Sequence, residues 1–458
     1  MNAKLPSTLL SLLVFSFFFG CKNDDVETPL QEFELSITQD GNKLYHSWAE
    51  VNISDFERYI LVRSSEPIPV TLDPFSSTSF NSEISLVVHE ESDKTISEWE
   101  ELALSEKSKL FYRVFIKLSD RYIVSNEKEV SFDEKIISHS TLFFDAEVFH
   151  HPELKLIYII DYDSLFAYNY QSNELVAAAK LLIEFDNGSF SYGKFNGKDE
   201  IYLSLGFPMN DRFIILDAIS LNQIEIIGDG IGSIEAINTD REGLIIIVDD
   251  SSSPIKILNR ADGNIIGSAV CDCSAYSRKI DFVSISENIL RLSSSELIGM
   301  GGLARFTDFT FSDTWEYISE TPIVQFQSNL LPKVAFSKSK NYFIPNYNGT
   351  IYDSGGNIIN SIYDPLDNKG VGYDFVFLEN ETVLMNLANP SFTNNLTIRT
   401  INKYSLPNIE LIDSWKLENI AGFVDNYKLF YDEETLLLSY EIFISGGERK
   451  VVIQSLNL

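Results

Sequence analysis

Histidine is scarce in this chain and confined to one end of it. There are five, and all of them, His46, His89, His139, His150 and His151, precede residue 152. Ser-His-Asp triads, histidine-rich metal sites and histidine general bases are therefore excluded from everything that follows. Only three cysteines occur, Cys21, Cys271 and Cys273. Tetrahedral zinc needs four ligands, usually two cysteine pairs with two residues inside each pair, and Cys271-Asp272-Cys273 has no second pair. No metal and no cofactor is expected. Positive charge is also short: 35 Lys+Arg face 67 Asp+Glu, a formal charge of −32. Such a surface repels a phosphate backbone, so nucleic acid is excluded as a partner and anionic lipid headgroups are equally poor ones. No run of 18 apolar residues is present to cross a membrane as a helix.

What is present is globular. Hydrophobic residues make up 44% of 458 residues and charged residues 22%, which excludes a disordered chain. That length exceeds one ordinary core, so several domains or a repeat-built ring are implied.

Lys4 precedes an apolar run from Leu9 to Phe19, the length of a secretory signal core. The run meets Gly20-Cys21, which resembles the lipobox of bacterial lipoproteins; Phe18 and Phe19 depart from that family's usual residues. The resemblance implies a signal peptide over 1–20, acyl chains on Cys21 and lipid anchoring in the outer membrane. The acidic segment Lys22-Asn23-Asp24-Asp25-Val26-Glu27-Thr28-Pro29 resembles the surface-export tether of Bacteroidetes-type lipoproteins, spanning 21–31 here.

Residues 32–133 read as an antiparallel β domain. Phe33–Ile37, Leu44–Trp48, Tyr59–Arg63 and Phe111–Ile116 alternate or nearly so between turn residues. Trp48 in the second strand, Tyr59 opening the third, Tyr112 and Val114 in the sixth, and Ser125-Asn126-Glu127 ahead of Val130 resemble an immunoglobulin-like sandwich of the fibronectin type III kind. Ile96, Trp99, Leu102 and Leu104 stand at near-helical spacing and predict a helical turn between Thr95 and Leu104. Trp48 and Trp99 are expected in the core and not as sugar platforms.

Over 135–458 one pattern recurs: an apolar strand, a polar turn, a second strand, a tight turn and a third strand. Its instances begin at Leu156, Ile201, Leu244, Ile289, Tyr342, Thr382 and Leu436, 40 to 54 residues apart, the size of a four-stranded propeller blade. A small sheet with two apolar faces buries both only by packing between neighbours around an axis, so an all-β fold with a seven-bladed β-propeller is expected. Phe213–Asp217 and Ile255–Gly263 resemble the loose quinoprotein-like and NHL-like repeats. The seventh unit ends at Gln454-Ser455-Leu456 with its outermost strand missing. The stretch 136–143 is the candidate to supply it.

Carboxylates are the remaining catalytic chemistry. The turns that follow the second strand of a blade, on the face of the central channel mouth, carry Asp161, Asp163, Asp249 and Asp250, with Phe207, Met209, Asp211, Tyr347, Asn348 and Phe392 in the equivalent turns. Such a ring is able to bind Ca²⁺, a sugar or a basic segment, or serves as a solvated rim alone. His150, His151 and Glu153 make a poor metal site because adjacent strand residues point to opposite faces. Asp163-Ser164-Leu165 resembles the O-glycosylation sequon of Bacteroidetes envelope proteins. Two functions remain open: a monomeric surface lipoprotein that binds a glycan or an envelope protein without catalysis, or a carboxylate-dependent glycoside hydrolase or polysaccharide lyase working at the funnel. A scaffold resembling the propeller lipoprotein of the β-barrel assembly machinery is a variant of the first.

Overall fold

The computed structural model describes residues 33–40, 43–74, 85–102, 109–131, 137–141, 146–181, 188–204, 211–228, 231, 234–249, 255–270, 280–298, 301–327, 334–345, 349–362, 371–378, 383–389, 399–417, 423–432, 435–443 and 449–456. The leader, Cys21, the tether and the Cys271/Cys273 pair lie outside them. Within them every regular element is a β-strand, and no helix is long and apolar enough to cross a membrane.

Nine strands open the chain: β1 (Leu35–Asp40), β2 (Lys43–Trp48), β3 (Phe56–Ser64), β4 (Ser85–Glu91), β5 (Glu98–Leu102), β6 (Lys109–Leu118), β7 (Tyr122–Val124), β8 (Lys128–Ser131) and β9 (Ile137–Thr141). The first eight form two sheets, β1-β2-β5 and β4-β3-β6-β7 with β8 also on β6. Leu35, Leu44 and Trp48 of the first sheet share a buried core with Tyr59, Leu61, Tyr112, Val114 and Ile116 of the second. The reverse face of the second sheet is covered as well: Ile60, Val62 and Phe115 pack with Ile68. That is why β3 reads as a continuous apolar run and not as an alternation. Arg113 pins the covering segment by donating to the Ile68 carbonyl at 2.7 Å.

The helical turn expected between Thr95 and Leu104 is replaced by strand β5, which pairs with β2 through His46 opposite Trp99. A period of two wins because Trp99 and Glu101 both turn inward: Trp99 stacks on His89 at 3.9 Å and Glu101 is fully buried. Both tryptophans belong to the core, Trp48 buried and Trp99 packed against its edge.

The rest of the described chain forms seven four-stranded antiparallel sheets. Six run in chain order. In the first, the strands are Glu147–His151, Leu156–Asp161, Ser164–Asn169 and Glu174–Lys180; in the second, Phe190–Phe195, Lys198–Ser204, Phe213–Asp217 and Gln223–Ile227; in the third, Ile234–Asn238, Leu244–Asp249, Ile255–Asn259 and Ile265–Ala269. The fourth has Ile280–Ser286, Ile289–Ile298, Gly301–Phe311 and Tyr317–Gln327; the fifth Val334–Phe336, Tyr342–Pro345, Thr350–Asp353 and Ile358–Ser361; the sixth Val371–Leu378, Val383–Asn389, Arg399–Ser405 and Glu410–Leu417. The seventh takes Phe423–Tyr431, Leu436–Phe443 and Arg449–Leu456 from the carboxyl end and β9 as its outer strand. β9 runs antiparallel to the last strand, Ile137 opposite Ile453 and Thr141 opposite Arg449, so the expected completing strand is the one used.

Each sheet is buried against the next. Tyr158 and Leu165 meet Ile201 and Leu216; Tyr202 and Phe213 meet Ile237 and Ile245; Ile246 and Ile257 meet Leu290 and Phe309. Phe306 meets Phe343 and Tyr352, Ile344 and Ile351 meet Phe375, and Ile401 and Trp415 meet Leu438 and Tyr440. Leu437, Val451 and Ile453 of the seventh sheet then pack on Val148, Ile157 and Ile159 of the first. This cyclic order of shared cores is a propeller-like arrangement, and it explains why second and third strands such as Leu156–Asp161 and Phe213–Asp217 are buried while fourth strands such as Glu174–Lys180 are mostly exposed.

Polar contacts tie the same junctions. Arg260 of the third sheet grips Glu200 of the second through two bonds, 2.8 and 3.0 Å, and Glu225 through a third at 2.9 Å. Asp432 accepts from Lys155 at 2.8 Å and from the Tyr170 hydroxyl across the seventh-to-first junction. The turn between third and fourth strands is four or five residues long in six sheets. A residue of positive φ lies near its end each time, the fourth after the strand at Asn173, Leu221, Gly263, Trp315 and Ile409 and the third at Gly356. Side-chain oxygens of Asn169, Asp217, Asn259 and Ser312 accept turn amides at its start. Gly193 is required by close approach, since a Cβ there would collide with the Thr239 backbone of the third sheet.

Candidate functional site

The sequence places its candidate residues in the turns after second strands, and the structure gathers few of them. Asp161 and Asp163 share the hairpin between the second and third strands of the first sheet. Asp161 is buried and faces β9, its Oδ2 3.9 Å from His139 Nε2. Burial pushes the His139 imidazole below its ordinary value, and the charge of Asp161 only partly offsets this. The Asp161 carboxylate is thus part of the seventh-to-first junction. Asp163, at the hairpin tip, accepts from Lys180 at 3.0 Å and Ser164 at 2.9 Å, and these bonds hold its carboxyl below the usual range. Asp211 stands on the surface beside Arg212, 3.8 Å away. Asp249 ends its strand with its side chain outside the described residues; Phe207, Met209, Asp250, Tyr347, Asn348 and Phe392 lie wholly outside them.

An open cavity of about 530 Å³ lies at the opposite ends of the strands, among turns joining first to second strands. Asp240, Arg241 and Glu242 come from the third sheet's turn, Ser284, Ser286 and Glu287 from the fourth sheet, and Lys340 from the fifth. An antiparallel meander puts these turns on the face away from the one singled out in the sequence. Asp240 is preset: its carboxylate accepts from the Ser284 hydroxyl at 2.6 Å and the Ser284 amide at 3.1 Å. Arg241 lies with its guanidinium 5.2 Å from the Trp315 ring centre. Burial lowers its pKa, and the charges of Asp240 and Glu287 work against that loss. Lys340 sits 5.9 Å from the Phe336 ring.

The first and second sheets add a second charged group on that face. Glu153 accepts from Lys194 at 2.5 Å, which lowers its carboxyl, and the field of Lys338 on the fifth sheet's turn adds to the shift. His151, 1% exposed, stacks on Tyr192 at 4.2 Å with Nε2 4.0 Å from Asp199. Its neighbour His150 turns the other way, toward Tyr170 and Phe430. The alternation expected for this pair is what separates them, and no group of three or more His, Cys, Asp or Glu is placed to hold a metal among the described residues.

Among described carboxylates with a clear shift, Asp93, Glu101, Glu153, Asp163, Asp217 and Asp353 are all lowered. A glycosidic general acid requires the reverse. What the cavity offers is fixed hydrogen-bond acceptors beside two cations held against aromatic rings, the chemistry of polar recognition. The sequence signal for it is the charged turn Thr239-Asp240-Arg241-Glu242-Gly243, which precedes a second strand and so lies on the face opposite the Asp161 and Asp249 turns.

No protein-family model matches the chain, and no curated protein does. Solved structures of similar course include the β-propeller domain of Cps50 (Swd1) from Myceliophteria thermophila, 10% identical, covering 68% of this chain and 96% of that one at a TM-score of 0.45. The RRP9 WD40 repeats are 8% identical over 70% and 97% of the two chains, TM-score 0.47. The U3-55K structure is 10% identical over 70% and 98%, TM-score 0.48. The chain is a mostly β-sheet protein resembling propeller-like folds at low identity.

Proposed function

We propose that this chain is an outer-membrane lipoprotein, anchored through acyl groups on Cys21, in which a fibronectin type III-like sandwich (32–133) precedes a closed seven-bladed propeller (135–458) that binds a glycan or envelope protein without catalysis. The sheet orders β1-β2-β5 and β4-β3-β6-β7 support the sandwich reading, and the cycle of shared cores supports the ring. The observation that carries the binding role is the open cavity at Asp240, Arg241, Glu287 and Lys340, to which the turns of three sheets bring charged and hydroxyl side chains. Hydrolysis is disfavoured because every described carboxylate with a clear shift is lowered, the reverse of what a glycosidic general acid needs.

The test is a glycan array and an envelope-fraction pull-down on soluble protein beginning at Glu27. Arg241→Glu and Glu287→Lys are expected to reduce binding at least tenfold, about 1.4 kcal/mol, while Asp249→Asn and Asp250→Asn on the other face leave it intact. The opposite pattern moves the site to the face read from the sequence. Palmitate labelling abolished by Cys21→Ala tests the anchor.

A further inference from the structure

The sandwich and the sixth sheet meet at their edges. β5 is the outer strand of the β1-β2-β5 sheet, and Glu410–Leu417 is the outer strand of the sixth sheet; the two strands are in contact without joining one ladder. Open sheet edges carry unpaired backbone groups that native proteins cover or charge, and here each edge covers part of the other. Lys43, at the start of β2, reaches across the seam. Its ammonium stands 3.2 Å from Asp413 Oδ2 and 4.5 Å from the centre of the Trp415 ring. Its side chain is only 14% exposed, unlike the surface lysines whose ion pairs add little. Trp415 itself is buried in the core shared by the sixth and seventh sheets, so the lysine rests on a fixed platform and not on a mobile side chain.

We propose that the sandwich is clamped to the rim of the sixth sheet by Lys43 and moves with the ring as one rigid body. The amino-terminal domain then orients the ring instead of serving as a free spacer, and it covers only the Asp413–Trp415 end of the sixth sheet's outer strand, leaving Leu411 and Ile412 exposed. The outer strands of the first to fifth sheets likewise keep exposed aliphatic side chains, among them Leu175, Ile224, Ile265, Ile318 and Ile358.

The experiment uses the whole soluble chain with two readouts, small-angle X-ray scattering and amide exchange over Glu98–Leu102 and Glu410–Leu417. Asp413→Lys, at a half-exposed position, is the first variant and Lys43→Glu the second. Each is expected to expand the particle and speed exchange in both strands about five- to tenfold, the size of a lost partly buried pair. The swap Lys43→Asp with Asp413→Lys is expected to restore slow exchange. Scattering and exchange unchanged in Asp413→Lys, or a swap no better than the single variants, overturns the clamp.

Discussion

The sandwich and the ring bury the same three side-chain chemistries in different ways. In the sandwich, Glu101 takes a 2.5 Å bond from the Tyr112 hydroxyl, with His46 Nε2 at 3.5 Å and Arg63 at 3.7 Å. Burial alone would raise its pKa; Arg63, His46 and Tyr112 together outweigh burial and hold it down to about 2. In the ring, Glu200 takes 2.6 Å from Tyr202 and a two-pronged grip from Arg260, whose guanidinium also lies 4.8 Å from the Phe195 ring centre. The first cluster sits inside one domain and also joins two sheets, Glu101 and His46 on one and Arg63 and Tyr112 on the other, through one short bond and two longer contacts. The second joins two sheets through one well-aligned pair. Within the sandwich the buried charge is shared among three groups, whereas between the second and third sheets a single two-pronged pair carries it.

The contrast breaks most completely at β9. Deleting 137–141 is expected to abolish the ring's cooperative transition in differential scanning calorimetry while the sandwich transition persists. Two transitions at unchanged temperatures would show that the seventh sheet stands without its borrowed strand. Next in size is Arg260→Met, which leaves Glu200 buried and unpaired; urea unfolding should show a loss of about 3–5 kcal/mol, with part of it recovered when Glu200→Gln is added. The sandwich counterpart, Glu101→Gln, should cost on the order of 3 kcal/mol at neutral pH. A carboxyl with a depressed folded pKa stabilises above its unfolded value and loses that contribution as pH falls from about 4.5 toward about 2. The wild type should therefore lose stability through that window in acid titrations monitored by circular dichroism, and the Gln variant should show a flatter curve.

The sequence pattern located the second strand of every sheet, because those strands lie between two apolar neighbours and read as unbroken runs such as Leu156–Asp161 and Leu244–Asp249. The first strands escaped it. Phe190–Phe195 is half-exposed along its length and Val334–Phe336 is three residues long, so neither carries a signal stronger than a loop. The completing strand was legible from a deficit, a seventh unit one strand short. β5 was misread since Ile96, Trp99 and Leu102 mimic a helical stripe, whereas pairing with β2 selects Trp99 and Glu101. The cavity was invisible for a geometric reason: Asp240, Glu287 and Lys340 are far apart in the chain and become neighbours only when three sheets are set side by side.

The pairing of Ile137 with Ile453 also sets a schedule. The strand made before all seven repeats waits for the strand made after them, so no partial chain can complete the seventh sheet. Until the carboxyl terminus is available, the apolar faces around Val148, Ile157 and Ile159 lack their cover of Leu437 and Val451, and a contact of such long sequence separation forms slowly. The growing chain therefore carries the apolar faces of Val148, Ile157 and Ile159 uncovered until Leu437 and Val451 are made.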